Sequence, residues 1–209
     1  MVNNHTNGNS LFNSYRWTLP ATTNRETLQD MARRILLLLT DSDGVLTDGG
    51  VYCSPRGEEL KRFNVRDGMG IERLRRLAGV ETGIVSRDAS LALRARASKL
   101  GISELHLGIA DKSAALDDIM RRRGLSPEQI AFIGDDVNDV AVMRRVGLSA
   151  CPADGMPAAR EAAVLLCHYN GGQGAFREFA EFILAVQIGA DKSVEPENSA
   201  LSLWAGERA

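Results

Sequence analysis

An α/β fold built on a doubly wound parallel sheet is the architecture this sequence predicts. Three observations predict it. Short apolar runs alternate with stretches of helical periodicity over most of the chain. The first run, Ile35 to Thr40, is apolar without alternation until its last residue, as in a strand buried on both faces. Polar residues capable of chemistry cluster just after several runs, where an open parallel sheet binds its ligands.

The elements follow in order. Residues 1–25 are rich in Asn, Thr and Ser without an apolar period, and predict a flexible arm. Thr27 to Arg34 predicts a short helix leading into the first strand. Further strands are expected at Thr82–Ser86, Glu104–Leu107, Ile130–Gly134 and Leu148–Cys151. Helices are expected between them, at Gly70–Leu77, Ala89–Leu100, Lys112–Arg123, Val137–Val146 and Met156–Ala162. A last helix, Ala175–Ile188, closes a domain spanning residues 26–188, and the polar stretch 189–209 predicts a loose tail. One segment breaks the alternation. Gly50 to Phe63 reads as strand, turn, strand, with Pro55 and Gly57 supplying the turn. Inserted after the first strand, this hairpin would stand over the ligand-binding edge as a flap.

Composition narrows the function. Of 209 residues, 44% are hydrophobic and 25% charged, which suits one globular domain with its own core. The formal net charge of −2 argues against a nucleic-acid or anionic-membrane partner. Arg121 to Arg123 sit at a helix end, where they complement the helix dipole as a solvated face. Cys53, Cys151 and Cys167 are odd in number, lack CxxC spacing and predict free thiols in a reducing compartment. The apolar run at Ile35–Leu39 is too short to span a bilayer. A cytoplasmic location is therefore expected.

Chemistry is concentrated at strand ends. Asp41 and Asp43 follow the first strand, Ser86 ends the second, and Asp135, Asp136 and Asp139 follow the strand that closes at Gly134. Lys112 opens the helix before that strand. A cluster of carboxylates repels itself unless a hard cation neutralises it, and oxygen-only ligands favour magnesium. Hydrolysis of a phosphate monoester needs in-line positioning and neutralised charge. A carboxylate nucleophile divides the reaction, and a second carboxyl serves as acid and then base. Ser86 and Lys112 suit the equatorial phosphoryl oxygens. Taken singly, the Asp-Gly pair reads as a turn and Asp135-Asp136 as a helix cap. The combination at successive strand ends outweighs both. A receiver-like signalling domain would share the acids, hydroxyl, lysine and magnesium, but would not need Asp43.

In the order Asp41-x-Asp43-Gly44-Val45, Ser86, Lys112 and Gly134-Asp135-Asp136-x-x-Asp139, the chain resembles the haloacid dehalogenase superfamily of phosphohydrolases. Three further segments, Asp43 to Gly49, Glu58 to Gly68 and Gly171 to Glu178, resemble its capless subgroup of 3-deoxy-D-manno-octulosonate 8-phosphate phosphatases. That resemblance implies a doubly wound sheet with a hairpin flap and no separate cap domain. It implies Asp41 as nucleophile and magnesium ligand, and Asp43 as acid/base giving its backbone carbonyl to the metal. Asp135 is implied as the third ligand, with Asp136 and Asp139 orienting metal-bound water. Asn64, Val65, Arg66, Asp67 and Gly68 are implied at the sugar phosphate substrate. Members are homotetramers in which a neighbour's hairpin and C-terminal segment help close each site, parts that the hairpin and Gly171–Gly174 fit.

Two positions depart from the subgroup. Asp88 stands where an arginine is usual, and Glu72 replaces a basic residue. Related phosphatases for nine-carbon neuraminate 9-phosphates carry an acid at the Asp88 position. The resemblance thus implies substrate contacts for Glu72, Asp88 and Arg96, with Asp88→Arg shifting preference toward the eight-carbon sugar. Asp88 also reads as the N-cap of the helix beginning at Ala89.

Overall fold

The computed structural model of the chain describes residues 25–55 and 57–189. The expected arm and tail lie outside them, apart from Arg25 and Gly189. A helix α1 (Arg25–Arg33) leads into strand β1 (Leu37–Thr40). The hairpin β2 (Tyr52–Ser54) and β3 (Gly57–Leu60) comes next, then α2 (Val65–Ala78) and β4 (Glu81–Ser86). The remainder alternates: α3 (Leu91–Lys99), β5 (Glu104–Leu107), α4 (Lys112–Arg123), β6 (Ile130–Ile133), α5 (Val140–Met143), β7 (Leu148–Cys151), α6 (Pro157–Ala162), β8 (Leu165–Leu166) and α7 (Ala175–Gln187).

Six strands form one sheet in the order β5-β4-β1-β6-β7-β8. All pairs are parallel. The order reverses between β1 and β6, so the crevice at their carboxyl ends is the ligand position of a doubly wound sheet. The apolar run of β1 is used on both faces, because side chains alternate along a strand. Leu38 joins the core beneath α1, α2, α3 and α7, while Leu37 and Leu39 join the core beneath α4, α5 and α6. In α7, Phe176, Phe179, Phe182 and Ile183 form the helical stripe that covers the first face. Each such buried side chain contributes about 1.5–3 kcal/mol.

Several boundaries differ from expectation. Helix α2 begins at Val65, five residues before the expected Gly70. Asn64 caps it by accepting the Arg66 N–H at 2.9 Å, and Gly79 ends it at φ 69°. Exposed Val65 beside buried Asp67 inverts the usual apolar pattern and hides this first turn. The expected helix Val137–Val146 shrinks to the four residues of α5, because the Asp136–Asp139 turn is spent on the site. Helix α3 is capped by Ser90, which accepts the Leu93 N–H at 3.2 Å, and not by Asp88. The two-residue β8 was not foreseen. Arg122 and Arg123 do not form a purely solvated face, since both ion-pair with the buried Glu104. Among the described residues no helix is long and apolar enough to cross a membrane.

The hairpin exists as expected. Its strands pair antiparallel, with Tyr52 opposite Leu60 and an irregularity between Tyr52 and Cys53. An isolated bridge from Thr47 to Phe63 ties its base to the loop after β1.

Candidate active site

Asp41 is the first residue beyond β1, and its N–H donates to the Ile133 carbonyl of β6 at 3.0 Å. The sheet ladder thus runs one residue further and fixes the Asp41 backbone at the crevice. Its Oδ1 accepts the Ser42 N–H at 2.7 Å. The Ser42 carbonyl then accepts the N–H groups of Val45, Leu46 and Thr47, which folds the loop into a tight turn. Gly44 makes this possible. It lies at φ +84°, and a Cβ there would stand 2.0 Å from Asp135 Oδ2. Only glycine lets the β1 loop lie against the β6 loop this closely.

Lys112, at the start of α4, reaches into the crevice. Its Nζ lies 2.9 Å from Asp41 Oδ2 and 2.6 Å from Asp139 Oδ1. The lysine side chain is only 1% exposed, so this is a buried ion cluster. Asp139 Oδ2 accepts the N–H groups of Asp135 and Asp136, at 3.0 and 3.3 Å. Asp139 therefore shapes the loop that carries Asp135. Asp136 accepts its neighbour Val137's N–H at 2.6 Å and lies at the edge of this turn.

Carboxylate oxygens of Asp41, Asp135 and Asp139 come within 4.8 Å of one another. One ammonium cannot neutralise three carboxylates. Burial, followed by repulsion from Asp41, Asp139 and Asp136, pushes Asp135 up to about 8. Burial also pushes Asp41 up to about 6, although Lys112 works to lower it. Asp135 Oδ1 is buried with no hydrogen-bond partner. An orphaned carboxylate oxygen facing a crowd of like charge fits a hard divalent cation held by oxygen donors. The Asp139 oxygens are already committed to Lys112 and backbone N–H groups. Asp135 Oδ1 is the uncommitted oxygen, and Asp41, whose Oδ1 meets one N–H and whose Oδ2 meets Lys112, is the other carboxylate that would hold the ion.

A second charged cluster lies at the rim. Asp43 Oδ1 accepts the Thr47 hydroxyl at 3.0 Å. Lys61, just past β3, donates to both Asp43 oxygens, at 2.8 and 2.7 Å. Lys61 Nζ also lies 3.1 Å from Glu58 Oε1 and 3.4 Å from Asp88 Oδ2. Burial opposes the Lys61 charge, yet its bonds to Asp43 and Glu58 raise the ammonium above its ordinary value. Sequence reasoning did not single out Lys61. Its signals were its place at the end of the inserted hairpin and inside the Glu58–Gly68 segment, and it stands 18 positions along the chain from its partner Asp43. Ser86, buried at the end of β4, accepts the Asp88 N–H at 3.2 Å. Asp88 accepts the Ser90 N–H and hydroxyl, at 2.9 and 2.7 Å.

The remaining expected positions divide. Asn64 caps α2 and donates through Nδ2 to the Gly172 carbonyl at 3.2 Å. Asp67 is buried, accepts the Arg177 N–H at 2.9 Å and is pushed up to about 6 by burial. Gly68 is buried against Arg96. Arg96 lies over the Phe63 ring at 5.8 Å and donates to the Asn64 carbonyl at 3.2 Å. Val65, Arg66 and Glu72 are exposed. Gly171 and Gly172 pack on the loop after β1: the Gly172 N–H donates to the Val45 carbonyl at 2.8 Å, and a Cβ on Gly171 would stand 1.8 Å from the Gly44 carbonyl oxygen.

Known proteins resemble this chain in sequence and fold. A family model of haloacid dehalogenase-like hydrolases matches residues 55–147. The 3-deoxy-D-manno-octulosonate 8-phosphate phosphatase KdsC of Salmonella typhi is 40% identical over 162 residues, which is 78% of this chain and 86% of that protein. The crystal structure of the corresponding phosphatase from Yersinia pestis aligns with a TM-score of 0.75 at 38% identity, covering 82% of this chain and 93% of that one. The Moraxella catarrhalis phosphatase, crystallised with a magnesium ion, a phosphate ion and KDO, aligns with a TM-score of 0.76 at 29% identity, over 87% of this chain and 99% of that one. The chain therefore belongs to the haloacid dehalogenase-like hydrolases, in the family of the 3-deoxy-D-manno-octulosonate 8-phosphate phosphatases.

Proposed function

We propose that this chain hydrolyses the phosphate monoester of a 2-keto-3-deoxy sugar acid, of the 3-deoxy-D-manno-octulosonate 8-phosphate kind, through an aspartyl-phosphate on Asp41. The observation that carries this reading is the buried Asp41–Lys112–Asp139 cluster, set beside the orphaned Asp135 oxygen at the sheet's reversal point. The 40% identical relative names the substrate class.

An Asp41 oxygen attacks phosphorus in line, and the bond from phosphorus to the sugar oxygen breaks. Asp43 gives its proton to the departing alkoxide. Asp43 then takes a proton from water, whose oxygen attacks the phosphorus and frees inorganic phosphate and Asp41. Lys112 and the Ser86 hydroxyl hold phosphoryl oxygens through the transfer. Asp139 keeps Lys112 and the Asp135 loop in place. Magnesium, held by Asp41, Asp135 and the Asp43 backbone carbonyl, would neutralise the charge that phosphate adds to this acidic crevice.

A nine-carbon acid 9-phosphate is the second reading, and it rests on Asp88 in place of arginine. Turnover of the eight- and nine-carbon phosphates, with magnesium and with chelator, decides between them. If both are inert while small phosphate esters are hydrolysed, the sugar-acid assignment fails. A homotetramer fits the hairpin, which exposes Val51 and the cross-strand pair Tyr52 and Leu60. Light scattering on Leu60→Glu should show smaller particles, and an unchanged mass would remove the hairpin from the assembly.

A further inference from the structure

We infer that Lys61 is a positioning residue for Asp43, and that Asp88 and Glu58 influence the reaction only through Lys61. This rests on the reading of Asp43 as acid and base. The Lys61 side chain is 3% exposed although the Asp43 side chain is 40% exposed. An ammonium has three donor hydrogens, and three carboxylates surround this one, at 2.7 Å for Asp43, 3.1 Å for Glu58 and 3.4 Å for Asp88. Its directions are filled from within the chain.

Asp43 depends on this contact. Thr47 holds Oδ1, and among the described residues Lys61 is the donor that reaches Oδ2. Without it a half-exposed carboxylate could turn about its side-chain bonds, and acid catalysis requires it within reach of one leaving oxygen. Asp88 is committed elsewhere. Both its oxygens accept from Ser90, its N–H donates to Ser86, and its side chain is 14% exposed. Among the described residues its remaining ion-pair partner is Lys61, at 3.4 Å. An acid there steadies the cation that steadies Asp43 and need not touch the sugar, so on this inference Asp88 lends the nine-carbon reading no support and the expected shift in sugar preference for Asp88→Arg does not occur.

The test exploits leaving-group chemistry. The sugar alkoxide needs a proton as it departs, whereas p-nitrophenolate does not. Lys61→Met should lower kcat/KM for 3-deoxy-D-manno-octulosonate 8-phosphate about 10- to 100-fold. For p-nitrophenyl phosphate the loss should stay below about threefold. Lys61→Arg should restore most of the sugar phosphate rate. Asp88→Asn should cause a smaller loss with the same ester dependence, and should add nothing in the Lys61→Met background. Asp88→Arg should slow eight- and nine-carbon substrates alike. Equal losses on both esters, an additive Asp88 effect, or a changed ratio between sugar lengths would overturn the inference. Asp43→Asn serves as the reference. If it lacks the ester-dependent loss, the acid/base assignment itself has failed.

Discussion

The crevice holds two clusters of carboxylates around a lysine, and they are built differently. The inner one joins Asp41, Asp139 and Lys112, with the Lys112 side chain 1% and the Asp139 side chain 0% exposed. Its members come from the ends of β1 and β6 and the start of α4, so the sheet fixes their separation. The outer one joins Asp43, Glu58, Asp88 and Lys61, whose acids are 14–40% exposed. Its cation arrives on an inserted hairpin. The inner cluster balances charge in a dry place, where each unpaired group is costly. In the outer cluster Lys61 is nearly as covered as Lys112, at 3% exposed, but its acids reach water that can solvate them, so its value lies in orientation more than in stability.

The largest effect should separate chemistry from structure. Asp41→Asn keeps the shape of the inner cluster and should lower sugar phosphate turnover by about 10⁴-fold or more. Retained turnover would remove Asp41 as nucleophile. Next, Lys112→Met should destabilise the protein by about 3–5 kcal/mol in denaturant unfolding, because two buried carboxylates lose their counter-charge. Lys61→Met should cost about 1 kcal/mol or less in the same experiment. Similar losses would erase the distinction between the clusters. Gly44→Ala comes third. It meets Asp135 Oδ2 at 2.0 Å with φ at +84°, and backbone strain there costs about 1–2 kcal/mol before any clash.

A smaller effect concerns pH. Asp135 is raised to about 8 and Asp41 to about 6, both from 3.8. The folded, metal-free chain therefore binds more protons than the unfolded one between about pH 4 and pH 8. The stability these groups contribute is complete at the acid end of that window and is lost as pH rises through it. The thermal midpoint of chelated protein should fall over that range, and magnesium should flatten the fall. A midpoint that rises equally with and without chelator would show that the acids are not a cation site. Smallest of all, Glu72→Lys should move stability by less than about 0.5 kcal/mol. Among the described residues Glu72 is exposed without a hydrogen bond or ion pair. A raised KM would show that it reaches substrate.

Much of this was legible in the sequence, for definable reasons. Ile35 to Thr40 announced a strand buried on both faces because its apolar run is unbroken. The convergence of Asp41 and Asp135 was legible because strand ends converge in a parallel sheet, and Lys112 was legible from its place in the order of motifs. Helix ends were less so. Asn64 is a good cap residue, yet exposed Val65 and buried Asp67 disguised the first turn of α2. Asp88 looked like a cap, and the cap is Ser90, which Asp88 supports through two hydrogen bonds. Lys61 lies within the Glu58–Gly68 segment, but its pairing with Asp43 was not legible because nothing local distinguishes it from any solvated lysine.

The sequence by itself determined the doubly wound sheet, the inner acids and their lysine, and the presence of the hairpin. Periodicity and strand-end position are local properties, and each can be read from a few neighbouring residues. Only the tertiary structure decided where the hairpin's lysine lands, which oxygens of Asp139 are already taken, and which oxygen of Asp135 is left alone. Those outcomes depend on the angle at which an insertion folds back and on the approach of two loops across the sheet. Gly44 permits that approach and Gly171 backs it, and a local pattern does not encode it.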